Sequence, residues 1–537
     1  MTSTAVSDPA ATVESVPTAG ATRPAQAPQQ KLLHFWHRGA LHSVQACAPH
    51  TTLLDFLRVE RGDVAVKEAC AQGDCGACAV TAAWPDEAGR LRWLAINSCI
   101  KPAQWIDGKA IFSAFDLPPE HPVIRAMLAQ ESSQCGFCTP GFVMALFALY
   151  QEMQAPDPDD SSGNTAGASA SADTPPSAVI HARPFQGEDR QASRSTQPPM
   201  LGRGQVCDAI SGNLCRCTGY LPIIEAGCSM LQMPAAPRFE QGVERMRTAL
   251  LGYRAQEAGA GASLEEVLRR RAADPQAWVM AGGTDLGLRI TKAHVWPKAI
   301  IDVSQVAAMQ LVREDTDGLT LGAALDLQSA FRNLAQRWPS LHDYLWRFAG
   351  RPIRNSATLG GNLGTASPIG DAIPLLMVLG ASLQLARWDG SAQAVARRWV
   401  AVEDFILGYR RTALACDELI EAVHIPAALR AWSVAAWKIS KRHEDDISAV
   451  SLTAAWRADT EGRVVQIRLA VGGVAERALR LHSVENYLLG KELVCVVLRQ
   501  AGELLSAAIA PISDARASAR YRHEVCANLL LRLASDP

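Results

Sequence analysis

Cys70-Ala71-Gln72-Gly73-Asp74-Cys75-Gly76-Ala77-Cys78 sets three cysteines in the spacing C-x4-C-x2-C, and Cys99 follows after a short apolar stretch. Plant-type 2Fe–2S sites use that spacing, because iron in such clusters takes four soft thiolate ligands. Gly73 and Gly76 let the loop turn its N–H groups toward sulfur. Asp74 is the only acid between the first and third cysteines. Zinc is the rival metal, since C-x2-C is also a zinc element; the x4 spacing points to iron.

A second set joins Gln134-Cys135-Gly136-Phe137-Cys138-Thr139-Pro140-Gly141 to Gly212-Asn213-Leu214-Cys215-Arg216-Cys217-Thr218-Gly219-Tyr220. Cys135 and Cys138 precede a predicted helix, with Thr139 suited to its cap and Pro140 to its first turn. The helix dipole then favours thiolates at that end. Cys215 and Cys217 need a turn between them, which Gly212 and Gly219 permit. Spacing alone leaves the metal of this set open, although C-x-C is less usual for zinc. A thiol-exchange site would need only one C-x-x-C. The remaining Cys47, Cys207, Cys228, Cys416, Cys495 and Cys526 are expected to pack as small hydrophobes.

The surrounding chain is built for several globular domains: 537 residues, 48% hydrophobic and 20% charged. A net charge of -2 gives no electrostatic case for nucleic acid. No apolar run approaches a membrane span. Residues 1–30 lack the basic start and apolar core of a secretory signal and are expected to be a disordered tail. Cysteines clustered in this way in a large chain suit a reducing compartment, so the cytoplasm is expected.

Short strands dominate up to about Phe112. Thr51 or Thr52 is placed to cap a helical segment through Leu57, and residues 79–84 and 91–96 flank a polar turn as a hairpin. Helical periodicity takes over at 121–130 and 139–153. Residues 155–204 are a low-complexity insert, expected to loop out between two helices. Residues 234–245 read as a linker. Beyond it, strands and helices alternate to about Pro426, and a smaller α+β unit follows.

Two glycine-rich turns stand out in that second half. Val279-Met280-Ala281-Gly282-Gly283-Thr284-Asp285-Leu286 is a buried strand running into a turn. Thr358-Leu359-Gly360-Gly361-Asn362 leads to Ser367-Pro368-Ile369-Gly370-Asp371. Successive N–H groups in such turns cradle anions such as a pyrophosphate. Neither a G-x-G-x-x-G after a strand nor a Walker sequence occurs. A Gly-Gly turn by itself is more often only a turn.

Taken together, the stretch from Lys67 to Cys78, the two segments of the second set and the glycine turns resemble the molybdenum hydroxylases, the xanthine dehydrogenase and aldehyde oxidase group. The resemblance runs from about Gln30 to the C-terminus, outside the insert. Ala69 departs from the glycine usual there. The resemblance implies an α+β multidomain chain: a β-grasp 2Fe–2S ferredoxin domain at 31–112, a helical-bundle 2Fe–2S domain at 113–234, a vanillyl-alcohol-oxidase-type FAD domain at 235–426 and a small α+β flavoprotein domain at 427–537. It makes Cys70, Cys75, Cys78 and Cys99 the ligands of one 2Fe–2S cluster, and Cys135, Cys138, Cys215 and Cys217 those of another. It assigns FAD contacts to Val279, Met280, Ala281, Gly282, Gly283, Thr284, Asp285, Leu286, Phe348, Thr358, Leu359, Gly360, Gly361, Asn362, Asp371, Ile420 and Lys438. Without the resemblance, Lys438 reads equally well as a surface lysine. The implied activity is electron relay to FAD and then to NAD⁺, with no catalytic side chain on this chain. The implied partner is a large molybdopterin-binding subunit, in a heterotetramer. Gln134 is expected to face that partner's pterin. The alternatives are an aldehyde, nicotinate or other aromatic hydroxylase and, as a non-enzyme, a zinc-stabilised scaffold.

Overall fold

The computed structural model describes residues 32–154, 201–256, 262–443 and 445–534. The expected tail at 1–30 and all but the last four residues of the expected insert lie outside them. Those last four already belong to the fold: Leu201 is buried, and a helix starts at Arg203.

Alternating apolar residues build a five-stranded sheet from β1 (Leu32–His37), β2 (Ala40–Gln45), β3 (Ala79–Pro85), β4 (Leu91–Asn97) and β5 (Lys109–Phe112), in the order β2-β1-β5-β3-β4. β3 and β4 form the expected hairpin. Thr52 caps the turn Leu53–Asp55, its hydroxyl accepting the Asp55 N–H at 3.1 Å. The helices Pro122–Ala129, Thr139–Gln154, Arg203–Ala209 and Leu221–Ser229 follow. Thr139 does not cap its helix: it is the first helical residue, and its hydroxyl pairs with Ser133 Oγ at 2.7 Å. Helix Thr139–Gln154 buries eleven consecutive residues from Gly141 to Gln151, as a helix surrounded on all sides must.

The segment read as a linker is no linker. Pro237–Gln256 is one helix that lays Met246 and Leu250 into the core of the helical half. Its Arg247 donates to Gly89 O at 3.1 Å, and its Tyr253 hydroxyl to Asp107 at 3.2 Å. The boundary expected at residue 235 is therefore displaced, because this helix packs with the iron–sulfur half. Two of the scattered cysteines also depart from expectation: Cys416 and Cys495 are exposed, whereas Cys526 is buried.

The second half pairs β6 (Trp278–Met280) with β7 (Ile300–Asp302) in parallel. An antiparallel sheet then unites β8 (Val312–Glu314), β9 (Gly318–Gly322), β10 (Ser382–Asp389), β11 (Ala394–Ala401) and β14 (Leu419–Pro426), in the order β11-β10-β14-β9-β8. β12 (Ile406–Gly408) and β13 (Arg411–Thr412) form a small hairpin. β15 (Ser433–Ile439), β16 (Val450–Ala458), β17 (Val464–Gly472) and β18 (Leu479–Arg480) make the last sheet, backed by helices Cys495–Ala508 and Ala519–Leu531. The chain is thus α+β and multidomain. Among the described residues no helix is long and apolar enough to cross a membrane.

The two halves lock through the helical turn Arg351–Arg354. Arg354 is 1% exposed. It donates to Gln328 Oε1 at 2.7 Å and to the carbonyls of Trp346, Phe348 and Ala349 at 2.9, 3.1 and 2.7 Å. It also pairs with Asp208 of the helical half. Arg351 pairs with both Glu152 and Asp208, and Arg332 reaches Glu152 at 2.6 Å. Removal from water pushes the Glu152 carboxyl up, but Arg351 and Arg332 outweigh it and hold it down at about 2. A carboxyl depressed in the folded state stabilises fully above its unfolded value and loses that contribution as pH falls through the folded one.

R354M should leave Asp208 with only the longer Arg351 contact and strand the carbonyls and Gln328 that Arg354 serves, costing about 3–5 kcal/mol, seen as a lower denaturation midpoint and as proteolysis between the halves. E152Q should be less stable than wild type at neutral pH. That gap should narrow only as pH drops from about 4.5 toward 2; a gap independent of pH over that range would remove Glu152 from the account.

Candidate cofactor sites

The first cysteine set is shaped by left-handed backbone. Ala71, Gly73 and Gly76 have φ of 50, 79 and 67°, so the chain folds around Cys70 Sγ. That sulfur receives the N–H groups of Gln72 at 3.5 Å and Cys75 at 3.4 Å. Cys78 and Cys99 are buried behind it. Hydrogen bonds from Cys75 and Cys99 pull the Cys70 thiol well below its ordinary range, and the same bonds push those two partners up. Asn97, which sequence reasoning missed, props the loop by donating to Gly73 O at 2.6 Å. Its signal was weak: one polar residue at the end of an apolar strand.

In the second set, Cys135 lies against Cys217 and Cys138 against Cys215. Tyr220, left-handed at φ 69°, receives the Cys215 N–H on its hydroxyl at 2.9 Å. Burial and Cys215 push the Cys138 thiol up to about 12. Cys135 and Cys217 are exposed.

Among the described residues, only His37, Asp63 and Asp116 bring three ligand atoms within 4.8 Å of one another; neither cysteine set does. One tetrahedral zinc with bonds of about 2.3 Å would hold all four sulfurs about 3.8 Å apart.

The two sets adjoin through backbone. Leu214 N–H, next to Cys215, donates to Cys75 O at 3.0 Å. Asn213 Nδ2 donates to Gly76 O at 3.2 Å. A Cβ on Gly141 would sit 2.2 Å from Gly76 O, so a glycine there lets the helix after Cys138 touch the first loop.

The first set adjoins the first glycine turn in the same way. Ile100, next to Cys99, presses its carbonyl on that turn: a Cβ on Gly283 or Gly287 would lie 3.0 or 2.6 Å from Ile100 O. Lys101, another residue missed from sequence, is buried and donates to Gly282 O at 2.9 Å. Burial pushes its ammonium down to about 7, against the pull of Asp302.

Val279 and Met280 lie on β6, Ala281 to Asp285 form the turn, and Leu286 starts a helix. Asp285 faces Arg410 at 3.7 Å. The second glycine turn abuts the first, since a Cβ on Gly282 would lie 1.9 Å from Ser356 O. Thr358 caps helix Leu359–Thr365, which carries Gly360, Gly361 and Asn362. Leu359 and Met280 point into the core and offer a ligand only backbone. Asn362 Oδ1 is buried without a partner, and a Cβ on Gly364 would meet only Ile420 on β14, at 3.9 Å. An orphaned acceptor beside one glycine, Gly364, that no internal packing demands fits a ligand rich in hydroxyl and phosphate groups, as FAD is.

Asp371, at the start of helix Ala372–Val378, pairs with Lys438 of β15 at 3.0 Å, both buried. Ser448 donates to the same carboxylate at 2.6 Å. Lys438 is therefore no surface lysine; its ammonium also donates to Arg347 O at 2.8 Å, beside Phe348. Phe348 packs edge-on against Phe331.

Four family models match in succession: a 2Fe-2S iron-sulfur cluster binding domain over 38–103, a 2Fe-2S binding domain over 114–170, the FAD binding domain in molybdopterin dehydrogenase over 258–428, and the CO dehydrogenase flavoprotein C-terminal domain over 435–536. The chain is similar to xanthine dehydrogenase of Drosophila subobscura, 28% identical over 534 residues, covering 86% of this chain and 36% of that one. It is likewise similar to xanthine dehydrogenase 1 of Arabidopsis thaliana, at 26% identity with 87% and 36% covered. It therefore spans about a third of the length of these curated relatives. Among solved structures, quinoline 2-oxidoreductase from Pseudomonas putida 86 aligns at 29% identity and a TM-score of 0.46, over 51% of this chain and 93% of that one. A carbon monoxide dehydrogenase from Hydrogenophaga pseudoflava aligns at 24% and 0.47, over 50% and 92%.

G282A should force the two glycine turns apart. The expected outcome is a loss of about 1–3 kcal/mol from overpacking, read as a lower thermal midpoint, together with reduced flavin content. Wild-type stability and flavin content would mean that this approach is dispensable.

Proposed function

We propose that the chain is the iron–sulfur and FAD component of a molybdenum hydroxylase and, within that family, the electron-relay subunit of a xanthine dehydrogenase. The clusters and flavin, when bound, would supply the redox chemistry between purine hydroxylation on a partner chain and NAD⁺. The chain's own residues hold and space the carriers. Cys135, Cys138, Cys215 and Cys217 hold the outer cluster, and Cys70, Cys75, Cys78 and Cys99 the inner one. The two glycine turns, Asn362 and the residues around the Asp371–Lys438 pair receive FAD. No side chain here acts as acid, base or nucleophile on the purine.

The observation that carries this reading is the polarity of the three sites. The outer set lies at the surface, with Phe137, Leu214 and Leu221 exposed by 48, 43 and 47%. Leu214 links it to the inner set by one backbone hydrogen bond, and Ile100 links the inner set to the flavin turn. An exposed apolar rim around an outer redox site suits docking of a large molybdopterin-binding chain. A heterotetramer of two such pairs in the cytoplasm completes the proposal.

Purified chain should contain about four iron and four acid-labile sulfide, as two 2Fe–2S clusters require. In the complex, C215S should retain NADH-driven flavin reduction while xanthine-driven flavin reduction falls at least a hundredfold. Undiminished xanthine-driven reduction in that variant would refute the route through the outer set. A complex active on quinoline or an aldehyde but not on xanthine would refute the purine assignment and leave the relay standing.

A further inference from the structure

His37, Asp63 and Asp116 meet where the first sheet joins the helical half, and none belongs to either cysteine set. One donor atom of each lies within 4.8 Å of the other two. His37 ends β1, Asp63 follows the turn Phe56–Glu60, and Asp116 closes the turn Ala114–Asp116 after β5. His37 and Asp63 are 1% and 0% exposed.

The hydrogen bonding fixes what the imidazole offers. His37 Nδ1 lies 3.2 Å from Ile111 O. A carbonyl oxygen only accepts, so Nδ1 carries the proton and neutral His37 turns the Nε2 lone pair the other way. On that side lies another acceptor, Asp63 Oδ2, at 3.5 Å, and neither atom has a hydrogen-bond partner. Asp63 Oδ1 faces Arg38 Nη2 at 3.6 Å. Asp116 Oδ1 accepts the Arg38 N–H at 3.1 Å, and its Oδ2 accepts the Ser113 N–H at 2.8 Å and the Ser113 hydroxyl at 3.3 Å. These donors orient the carboxylates and leave Asp63 Oδ2 aimed at His37.

Buried lone pairs facing one another call for a cation between them. The 3.5 Å separation is long for a hydrogen bond. It is close to the edge of about 3.3–3.4 Å expected for two N/O ligands at about 2.0–2.1 Å from one zinc. An imidazole that donates its other N–H to a backbone carbonyl is also the usual posture of a metal-bound histidine. We propose that His37 Nε2, Asp63 and Asp116 bind one divalent transition-metal ion of the zinc type, which staples the ferredoxin sheet to the start of the helical half. One histidine nitrogen and two carboxylates suit such an ion, and the absence of thiolate separates it from the cluster chemistry.

The test uses the full chain with its clusters in place, treated with chelator and assayed for iron before and after so that cysteine sites stay filled. Zinc is then titrated and counted by mass spectrometry and calorimetry. Wild type should take up about one zinc beyond its iron, with a rise in thermal midpoint. D63N and H37Q should each lose at least tenfold in affinity and show no rise. Iron content and visible absorption identify a variant that fails to fold, in which case the other variant decides. Zinc uptake unchanged in the folded variants would mean adventitious binding and overturn the site. Failure of wild type to bind zinc at micromolar concentration would overturn it too.

Discussion

The guanidinium of Arg354 is the fixed point of this molecule. A fully buried arginine is tolerable only if its donors are satisfied and its charge is answered. Here Gln328 and three carbonyls satisfy the donors within the flavin half, while Asp208 answers the charge from the helical half. The outer cysteine set and the Phe348 turn both adjoin that seam. Asp208 lies in the helix that leads into Gly212, Asn213 and Cys215, and the carbonyls belong to the turn that carries Phe348. The ion pair thereby sets the position of the outer cysteine set relative to the flavin half.

Around that point the modules touch through backbone. Gly141 meets Gly76 O, Gly350 meets the Gly212 backbone, Gly282 meets Ser356 O, and Gly287 meets Ile100 O. Each is a place where a single methyl group would hold two segments apart. Side-chain packing tolerates exchange of one shape for another, but a backbone contact leaves no shape to exchange. The spacing between modules is thus written into glycines as well as into the side-chain ion pairs of the seam.

The cysteine sets, the β3–β4 hairpin, the Thr52 cap and the two glycine turns were legible because each is a local pattern. What escaped was what depends on distant partners. Helix Pro237–Gln256 passed for a linker because prolines and charges crowd its start. Yet Phe239, Val243, Met246 and Leu250 recur at steps of three and four on its core face. Arg354 drew no attention, since Asp208 and Gln328 lie far away in sequence. Lys101 and Asn97 drew no attention because nothing nearby reveals that the carbonyls of Gly282 and Gly73 await donors. The surface reading of Lys438 fell to its pairing with Asp371, 67 positions upstream.

Arg351 has one more consequence. Glu152 lies near the end of the helix that follows Cys138, and Asp208 lies near the end of the helix that precedes Cys215; Arg351 grips both. The two arms of the outer set are therefore both registered against a third segment of the chain, so that a single guanidinium ties the helix after Cys138 to the helix before Cys215.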